Sequence, residues 1–221
     1  MSAGYQAYPY PIGPSDVLTP GEVAGTMYIN GKGPYLVSDW QNLPIYDTEV
    51  LPAAIAAGTT YQFFAGLNMT VTGVRKNLLD TNMTQQSMLS KGWRAVVYGI
   101  HFNMAPGTPN DDIQLIFANG VYTFVIGNQK DEKQGLLLHA PSPYGLTGNM
   151  AIVAGAPVEK SNINNGVPSL GAVPQDVPID LYDQTSFRVD VTFPNGIAAL
   201  PAGAGLRLIT TLRAYVQKPL R

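Results

Sequence analysis

The strongest constraint on the fold is a two-residue alternation of apolar and polar side chains in the last third of the chain. Residues 186–193 alternate Ser186, Arg188, Asp190 and Thr192 with Phe187, Val189, Val191 and Phe193. Successive side chains of a β-strand point to opposite faces, so this pattern predicts a strand with one buried face. Residues 206–216 repeat the rule, with one apolar face formed by Leu206, Leu208, Leu212, Ala214 and Val216.

Shorter apolar runs between turn residues predict further strands. The chain of 221 residues contains 23 glycines and 18 prolines, and their combined share exceeds the roughly 12% expected for these two residues. Glycine and proline favour turns, so they separate short strands. The runs lie at residues 60–65, 69–74, 93–102, 136–140, 150–153 and 177–181. Together they predict eight to ten strands, which is typical of an antiparallel β-sandwich.

Three other segments carry local signals. Asn119-Gly120 between the apolar runs 113–117 and 121–126 favours a type I′ hairpin, because both turn residues need positive φ. Residues 48–57, with Pro52 early and Gly58 at the end, favour a short helix. The charged segment 128–134 is interpreted as a solvated hairpin tip, and residues 141–176, rich in Pro, Gly, Asn and Ser, as a long outer loop.

These signals predict an all-β chain in two parts. Residues 1–58 are expected to form an N-terminal arm and a short helix-containing lead-in, and residues 59–221 a single β-sandwich domain. Two domains are disfavoured, because each would have roughly 110 residues, near the lower part of the usual range.

The low charge content indicates association with other subunits. Asp, Glu, Lys and Arg make up 13% of the chain, against roughly 25% in ordinary domains. Disorder does not explain the deficit, because 45% of the residues are hydrophobic. A surface with so few charges is poorly protected against association, so we expect much of it to be covered by neighbouring copies.

The sequence offers little for catalysis, so we expect no enzyme activity, no cofactor and no metal. Cysteine is absent, which excludes disulfides and thiolate chemistry. The two histidines, His101 and His139, belong to no closely spaced ligand pair, and Asp111-Asp112 matches no calcium motif. Trp40 and Trp93 could carry a sugar ring, but a core or interface position is favoured for Trp93. The net charge of −2 and the absence of a basic cluster argue against specific nucleic-acid binding.

The N-terminal segment interleaves tyrosine with proline and glycine. It has no basic and apolar stretches of a signal peptide, and nowhere does the chain have the roughly 20 apolar residues of a membrane helix. Proline prevents a helix here, so residues 1–25 are either a disordered terminus or an extended arm. In the second case Tyr5, Tyr8 and Tyr10 are the candidate subunit contacts. The arm has no Lys or Arg before Lys32, so its expected partner is protein, with a membrane surface as the other possibility.

Several segments resemble jelly-roll capsid proteins of small tailless icosahedral bacteriophages. The similarity lies in TNMTQ at residues 81–85, ML at 88–89 and GWRAVVYGI at 92–100, and in the closing segments 178–181, 187–191 and 212–219. The resemblance implies a virion protein that assembles in the host cytoplasm with copies of itself and with other virion proteins. A single jelly roll with an extended N-terminal arm is preferred, because the strand count fits one roll and 221 residues are few for two; a compressed double roll stays open.

Two other functions remain open from the sequence. One is a carbohydrate- or receptor-binding β-sandwich, such as a phage spike or vertex protein, which would need an exposed aromatic and polar cluster. The other is an enzyme of the cupin type, which would need several histidines and a carboxylate inside the barrel.

Deletion of residues 1–25 tests the proposed arm. We expect the truncated chain to fold but to lose assembly, because the contacts of the arm tyrosines with a neighbouring copy would be missing. Circular dichroism and electron microscopy measure the two properties. Normal particles from the truncated chain would contradict the role of the arm.

Overall fold

Most of the regular structure is β-strand. A computed structural model describes residues 26–29, 32–36, 40–70, 73–105, 107–127, 130–140, 146–153, 156–163 and 179–218, so Tyr5, Tyr8 and Tyr10 lie outside the described residues. In chain order, the elements are β1 (Thr26–Ile29), β2 (Lys32–Leu36), β3 (Trp40–Asn42), β4 (Ile45–Leu51), β5 (Thr59–Phe63), β6 (Arg94–Met104), α1 (Asn110–Asn119), β7 (Val121–Ile126), β8 (Lys130–Leu136), a 3₁₀ turn (Leu137–His139), β9 (Leu146–Val153), β10 (Ala156–Ile163), β11 (Ile179–Tyr182), β12 (Phe187–Phe193) and β13 (Leu206–Gln217).

The first main sheet is built around β13. Strand β6 pairs with one edge of β13 and carries β11 on its far side, while β3 and β4 both pair with the other edge. Strands β3 and β4 are two parts of one edge strand, since Leu43 donates its N–H to the Ala214 carbonyl at 3.0 Å between them. Pro44 interrupts this edge because it has no N–H to donate.

The second main sheet has the order β5-β12-β7-β8, and every pairing in both main sheets is antiparallel. Two separate hairpins, β1-β2 and β9-β10, accompany them. The inner faces of the two main sheets share one apolar core, so the fold is an all-β sandwich. The largest fully buried side chains are Phe63, Phe64, Phe102, Phe117, Phe124, Phe187 and Phe193.

The alternation in the last third of the chain is confirmed. Along β12 every second residue from Phe187 to Phe193 is buried, as predicted. Along β13 the buried positions are Leu208, Thr210, Leu212, Ala214 and Val216. Leu206 is only partly buried, and Thr210 takes its place among the buried residues. Each large apolar side chain removed from water stabilises the fold by roughly 1.5–3 kcal/mol.

The predicted helix over residues 48–57 is wrong. Its first part belongs to β4, which pairs with β13 from Leu51 opposite Leu206 to Ile45 opposite Leu212. Tertiary pairing overrides the local helix signal, because the backbone of β4 gains partners along the whole edge of β13. The rest of the segment is irregular and contains one bridge, from Ile55 to Ile197.

The predicted hairpin at Asn119-Gly120 is also wrong. Residues Asn110–Asn119 form α1, whose buried Ile113, Ile116 and Phe117 have helical spacing. Gly120 ends the helix in an extended conformation, with φ of −95°. A β-carbon there would lie 2.3 Å from the Leu137 side chain, so this glycine allows close packing and does not form a turn.

Four further assignments between residues 69 and 176 also change. The charged segment 128–134 lies at the β7–β8 hairpin as predicted, but most of it belongs to β8, which begins at Lys130 and pairs with β7. The strand predicted at 136–140 is mainly a 3₁₀ turn. The predicted loop 141–176 contains the hairpin of β9 and β10. In the predicted strand 69–74, Met69 forms an isolated bridge with Arg75, and residues 71–72 lie outside the described part.

Replacement of Gly196 tests the packing between the β12–β13 connection and residues 55–57. Gly196 has φ of +66°, and a β-carbon would lie 2.5 Å from the Ile55 carbonyl oxygen and 2.7 Å from the Ala57 nitrogen. We expect Gly196→Ala to reduce the free energy of unfolding by about 2–4 kcal/mol, because backbone atoms must move.

The matched control is Gly203→Ala, since Gly203 has φ of +82° with open space around the β-carbon. It should lose only about 1 kcal/mol, from the unfavourable backbone conformation. Chemical denaturation measures both variants, and equal losses would contradict the packing argument.

Candidate functional site

A lysine and two carboxylates meet inside the sandwich. The Lys76 Nζ atom lies 2.9 Å and 2.8 Å from the two Asp47 carboxylate oxygens and 2.8 Å from Glu49 Oε1. The side chains of Lys76 and Asp47 are 0% exposed and that of Glu49 is 1% exposed. We call Asp47, Glu49 and Lys76 the buried ionic cluster. It is the most concentrated set of ionisable side chains among the buried residues that the structure describes.

Strand geometry explains how the two carboxylates come together. Asp47 and Glu49 are two residues apart on β4 and therefore point to the same face, together with Ile45 and Leu51. Ile45 and Leu51 belong to the apolar core, so this face looks inward. The carboxylates are thus placed in an apolar interior by the same alternation that buries their neighbours.

Lys76 comes from the segment that follows β5. Its N–H donates to the Asn68 carbonyl at 2.8 Å, and the bridge between Met69 and Arg75 precedes it. Thr70 closes the turn between them, because its hydroxyl accepts the Val74 N–H at 3.0 Å. This small hairpin directs the lysine back into the sandwich.

Phe64 supplies a backbone donor to the cluster. Its N–H donates to Asp47 Oδ2 at 2.6 Å, and its carbonyl accepts the Ser87 N–H at 2.8 Å. Phe64 has φ of +67°, a left-handed conformation that is unfavourable for a bulky residue and recurs at functional sites. The backbone strain therefore lies directly beside the carboxylate of Asp47.

Burial dominates the electrostatics of the cluster. Loss of hydration raises the pKa of Asp47 above its ordinary value, and outweighs the opposing effects of Lys76 and of the N–H donors. The pKa of Tyr61 is raised too, first by burial and then by the negative charge of Glu49. Two carboxylates facing one ammonium would carry a net negative charge, so a proton on Asp47 relieves the imbalance. Such a cluster can exchange protons over short distances without water.

The sequence contained a signal for this cluster that the helix prediction obscured. In a strand, Asp47 and Glu49 share the inward phase of Ile45 and Leu51, which is an unusual place for two carboxylates. Lys76 follows Arg75 in the sequence, and this short basic pair gives no indication that the lysine is buried. Its long-range contact with β4 could not be found from spacing.

The histidines and the aspartate pair lie elsewhere. His101 is buried in β6 opposite Thr211, and His139 belongs to the 3₁₀ turn. Asp111 and Asp112 lie in the first turn of α1, where Asp112 accepts the Ala202 N–H at 3.1 Å. Burial raises the pKa of Asp112, with a smaller contribution from Asp111. Among the described residues no group of three or more His, Asp or Glu side chains is arranged to hold a metal ion.

The tryptophans are covered by other side chains. The Arg94 guanidinium lies 5.6 Å from the Trp40 ring centroid and 5.0 Å from that of Tyr182. Trp40 is 7% exposed, and the half-buried Trp93 carries the Lys218 ammonium 4.7 Å above its ring. The prediction of a core or interface position for Trp93 is confirmed, because this side chain packs against the apolar core.

An apolar surface lies outside the buried ionic cluster. Leu78 and Leu79 are 82% and 84% exposed. The turn that presents them is well fixed, because Tyr46 donates its hydroxyl to the Leu78 carbonyl at 2.6 Å and Asn77 accepts the Leu79 N–H at 2.7 Å. Asp80 closes this turn and also binds Arg207 of β13. We call the exposed apolar side chains of the segment 69–79, namely Met69, Val74, Leu78 and Leu79, the apolar loop surface.

In comparisons with known proteins, no family model, no curated protein and no solved structure matches the chain. In the described part of the chain, no helix has the length and apolar character needed to cross a membrane.

Replacement of Lys76 tests the contribution of the buried ionic cluster to stability. We expect Lys76→Met to reduce the free energy of unfolding by about 3–5 kcal/mol, because two carboxyl groups would remain buried without their cation. Thermal and urea denaturation measure the change. The control Lys91→Met changes an exposed lysine and should alter stability by less than about 1 kcal/mol.

A triple variant separates loss of the partner from loss of packing. Asp47→Asn, Glu49→Gln and Lys76→Met together remove every charge of the cluster at similar volume. The part of the lost stability that comes from the two unpaired carboxyl groups should return. A Lys76→Met protein as stable as the Lys91→Met control would contradict the cluster's structural role.

Proposed function

We propose that this protein is a structural virion protein, a capsid subunit with a single jelly-roll fold that assembles with copies of itself into an icosahedral shell. The observation that carries the proposal is the strand order of the two main sheets. The step from fold to function is an analogy between folds, so surface features must support it independently.

The strand pairs support a jelly roll, in which one long antiparallel ribbon of strands is rolled into a barrel. The outermost strands of the ribbon, β4 and β13, pair with each other; then β5 pairs with β12, β6 with β11, and β7 with β8. Eight strands in two sheets of four, connected in this way, are typical of a jelly roll. The eight strands of this scheme extend over residues 45–217 and form one roll, which favours a single roll over a compressed double roll.

Capsid proteins are one of the main uses of the jelly roll, together with lectins and cupins. The cupin alternative needs histidines facing the interior, whereas in β6 the core is lined by Ile100 and Phe102, the neighbours of His101. A lectin needs an open aromatic platform, but Tyr182, the large aromatic side chain with high exposure among the described residues, has the Arg94 guanidinium 5.0 Å from its ring centroid. The carbohydrate- or receptor-binding alternative is therefore supported less well.

Surface composition supports association between copies. Only 13% of the chain is charged, and the apolar loop surface places two leucines almost wholly in water in the isolated chain. Exposed apolar groups on a well-fixed turn are typical of protein contacts. Repetition of one modest contact around closed symmetry would yield a stable shell.

The partners proposed for the subunit are copies of itself and other virion proteins. The tyrosine-rich segment 1–25 would add contacts with a neighbouring copy or with a membrane surface beneath the shell. The protein would be assembled in the host cytoplasm and reside in the virion. No enzyme activity, cofactor or specific nucleic-acid binding belongs to this proposal.

Replacement of the two leucines tests the subunit contact. We expect Leu78→Ser with Leu79→Ser to weaken association by about 10-fold or more, because each leucine loses apolar burial worth roughly 1.5 kcal/mol or more at a contact. Sedimentation velocity over a concentration series measures the association.

The matched control is Leu138→Ser, which changes a leucine that is 46% exposed in the 3₁₀ turn. It should leave association unchanged, and circular dichroism should show that all variants are folded. Equal association of the wild type and the double variant would refute the assignment of this surface.

A further inference from the structure

We propose that Lys76 and Asp47 become joined by an intramolecular isopeptide bond, with Glu49 as the group that transfers the protons. The product would be an amide between the lysine Nζ and the aspartate Cγ, formed inside the folded chain. The proposal concerns the chemistry of the buried ionic cluster and holds whether or not the chain forms a shell.

The reacting atoms are already in contact. Nζ of Lys76 lies 2.9 Å from Asp47 Oδ1 and 2.8 Å from Oδ2, so the carboxyl carbon between these oxygens is within the range of near-attack geometries. Rotation of the carboxyl group about its Cβ–Cγ bond would present the face of the carbonyl to the nitrogen. Both side chains are fully buried, which holds them together for the lifetime of the fold.

Glu49 is placed to move the protons. Its Oε1 atom lies 2.8 Å from the same Nζ, and it stands two residues from Asp47 on the same face of β4. The ammonium first gives one proton to the Glu49 carboxylate, which leaves a neutral amine. A proton-transferring carboxyl group within hydrogen-bond distance is the requirement for general acid–base catalysis.

The reaction balances in atoms and electrons without any co-reactant. The neutral amine attacks Cγ of the protonated Asp47 carboxyl group, and the N–C bond forms as the C=O electrons move to oxygen. Glu49, protonated in the first step, delivers that proton to the leaving hydroxyl and then takes a proton from the nitrogen, so that it ends as the neutral acid. The C–O bond then breaks, and one water molecule departs.

The surroundings favour both the attack and the survival of its product. The Phe64 N–H donates to Asp47 Oδ2 at 2.6 Å, so a backbone dipole stabilises the oxygen on which negative charge develops. Burial raises the pKa of Asp47 and so increases the share of the uncharged acid, the form that can be attacked. The apolar core around the cluster limits the access of water, which would hydrolyse the amide or hydrate the ions.

The bond would fasten β4 to the base of the apolar loop surface. It would close a ring from residue 47 to residue 76, which contains β5 and the turn that carries Met69 and Val74. A cross-link of this span restricts the unfolded chain as a disulfide would. In a protein without cysteine, it would supply the covalent restraint that a disulfide supplies elsewhere.

Peptide mass spectrometry of the full-length wild-type protein tests the bond. Trypsin cleaves after Lys32, Arg75 and Lys91, so the linked product is residues 33–75 joined to residues 76–91 through the side chains of Asp47 and Lys76. Its mass should be that of the two peptides less one water molecule, and cleavage after Lys76 should be lost. Folded protein that yields only free peptides, with normal cleavage after Lys76 even after prolonged incubation, would overturn the proposal.

Three variants assign the roles. Folded Glu49→Gln and folded Lys76→Arg should show no linked peptide, and their melting temperatures should fall by roughly 10 °C. Folded Asp47→Asn should still react, with ammonia leaving in place of water, and should give a linked peptide of the same mass as the wild type. Asp190→Asn, a carboxylate change outside the cluster, should leave the link intact.

The outcomes distinguish the bond from a purely ionic contact. An unlinked wild type together with a low melting temperature of Lys76→Arg would mean that the cluster is an ion pair only, and the proposal would be wrong. A link that forms at the wild-type rate in folded Glu49→Gln would overturn the role of Glu49. If Glu49→Gln fails to fold, the linked peptide of the wild type and its absence in Lys76→Arg still decide whether the bond exists.

Discussion

The pairing of β13 with its two neighbours is the interaction on which the rest of the structure depends. Of the twelve residues of β13, ten pair with β6 along one edge, and ten pair with β4 and β3 along the other. The strand is therefore the central member of its sheet, and its inward-facing side chains form part of the apolar core. Because it joins residues far apart in sequence, the sheet can form only after most of the chain has been brought together.

The same arrangement creates the buried ionic cluster. Once β4 is fixed on β13, its alternation sends Asp47 and Glu49 inward along with Ile45 and Leu51. Two carboxyl groups in an apolar core are unfavourable unless they find a partner, and Lys76 is that partner. Stability alone does not explain a buried ion pair at this place, since apolar side chains of similar size would stabilise the fold as well. The isopeptide bond that we propose would give these three residues a role that apolar side chains could not fill.

The sequence predicted the fold class where the pattern was local and strict. The alternation in β12, and the alternation and approximate bounds of β13, were confirmed because one face of each strand is buried and the other is not. The prediction was wrong for residues 48–57 and 113–117, where short apolar runs fit a helix and a strand equally well. Pairing with β13 decided the first case, and packing of Ile116 and Phe117 into the core decided the second.

The candidate site was not predicted, because its members meet only through tertiary structure. Lys76 lies 27 residues from Glu49 and 29 from Asp47 along the chain. No spacing rule connects them. The expectation of few catalytic groups rested on histidine, cysteine and closely spaced carboxylates, and a lysine in a loop gave no comparable signal. The arm tyrosines Tyr5, Tyr8 and Tyr10 lie outside the described residues and remain a prediction.

Electron microscopy of the purified full-length protein, combined with light scattering, tests the central claim of a self-assembling subunit most directly. The account predicts closed particles or discrete trimers, pentamers or hexamers whose share grows with protein concentration. A protein that stays strictly monomeric at high concentration would contradict it.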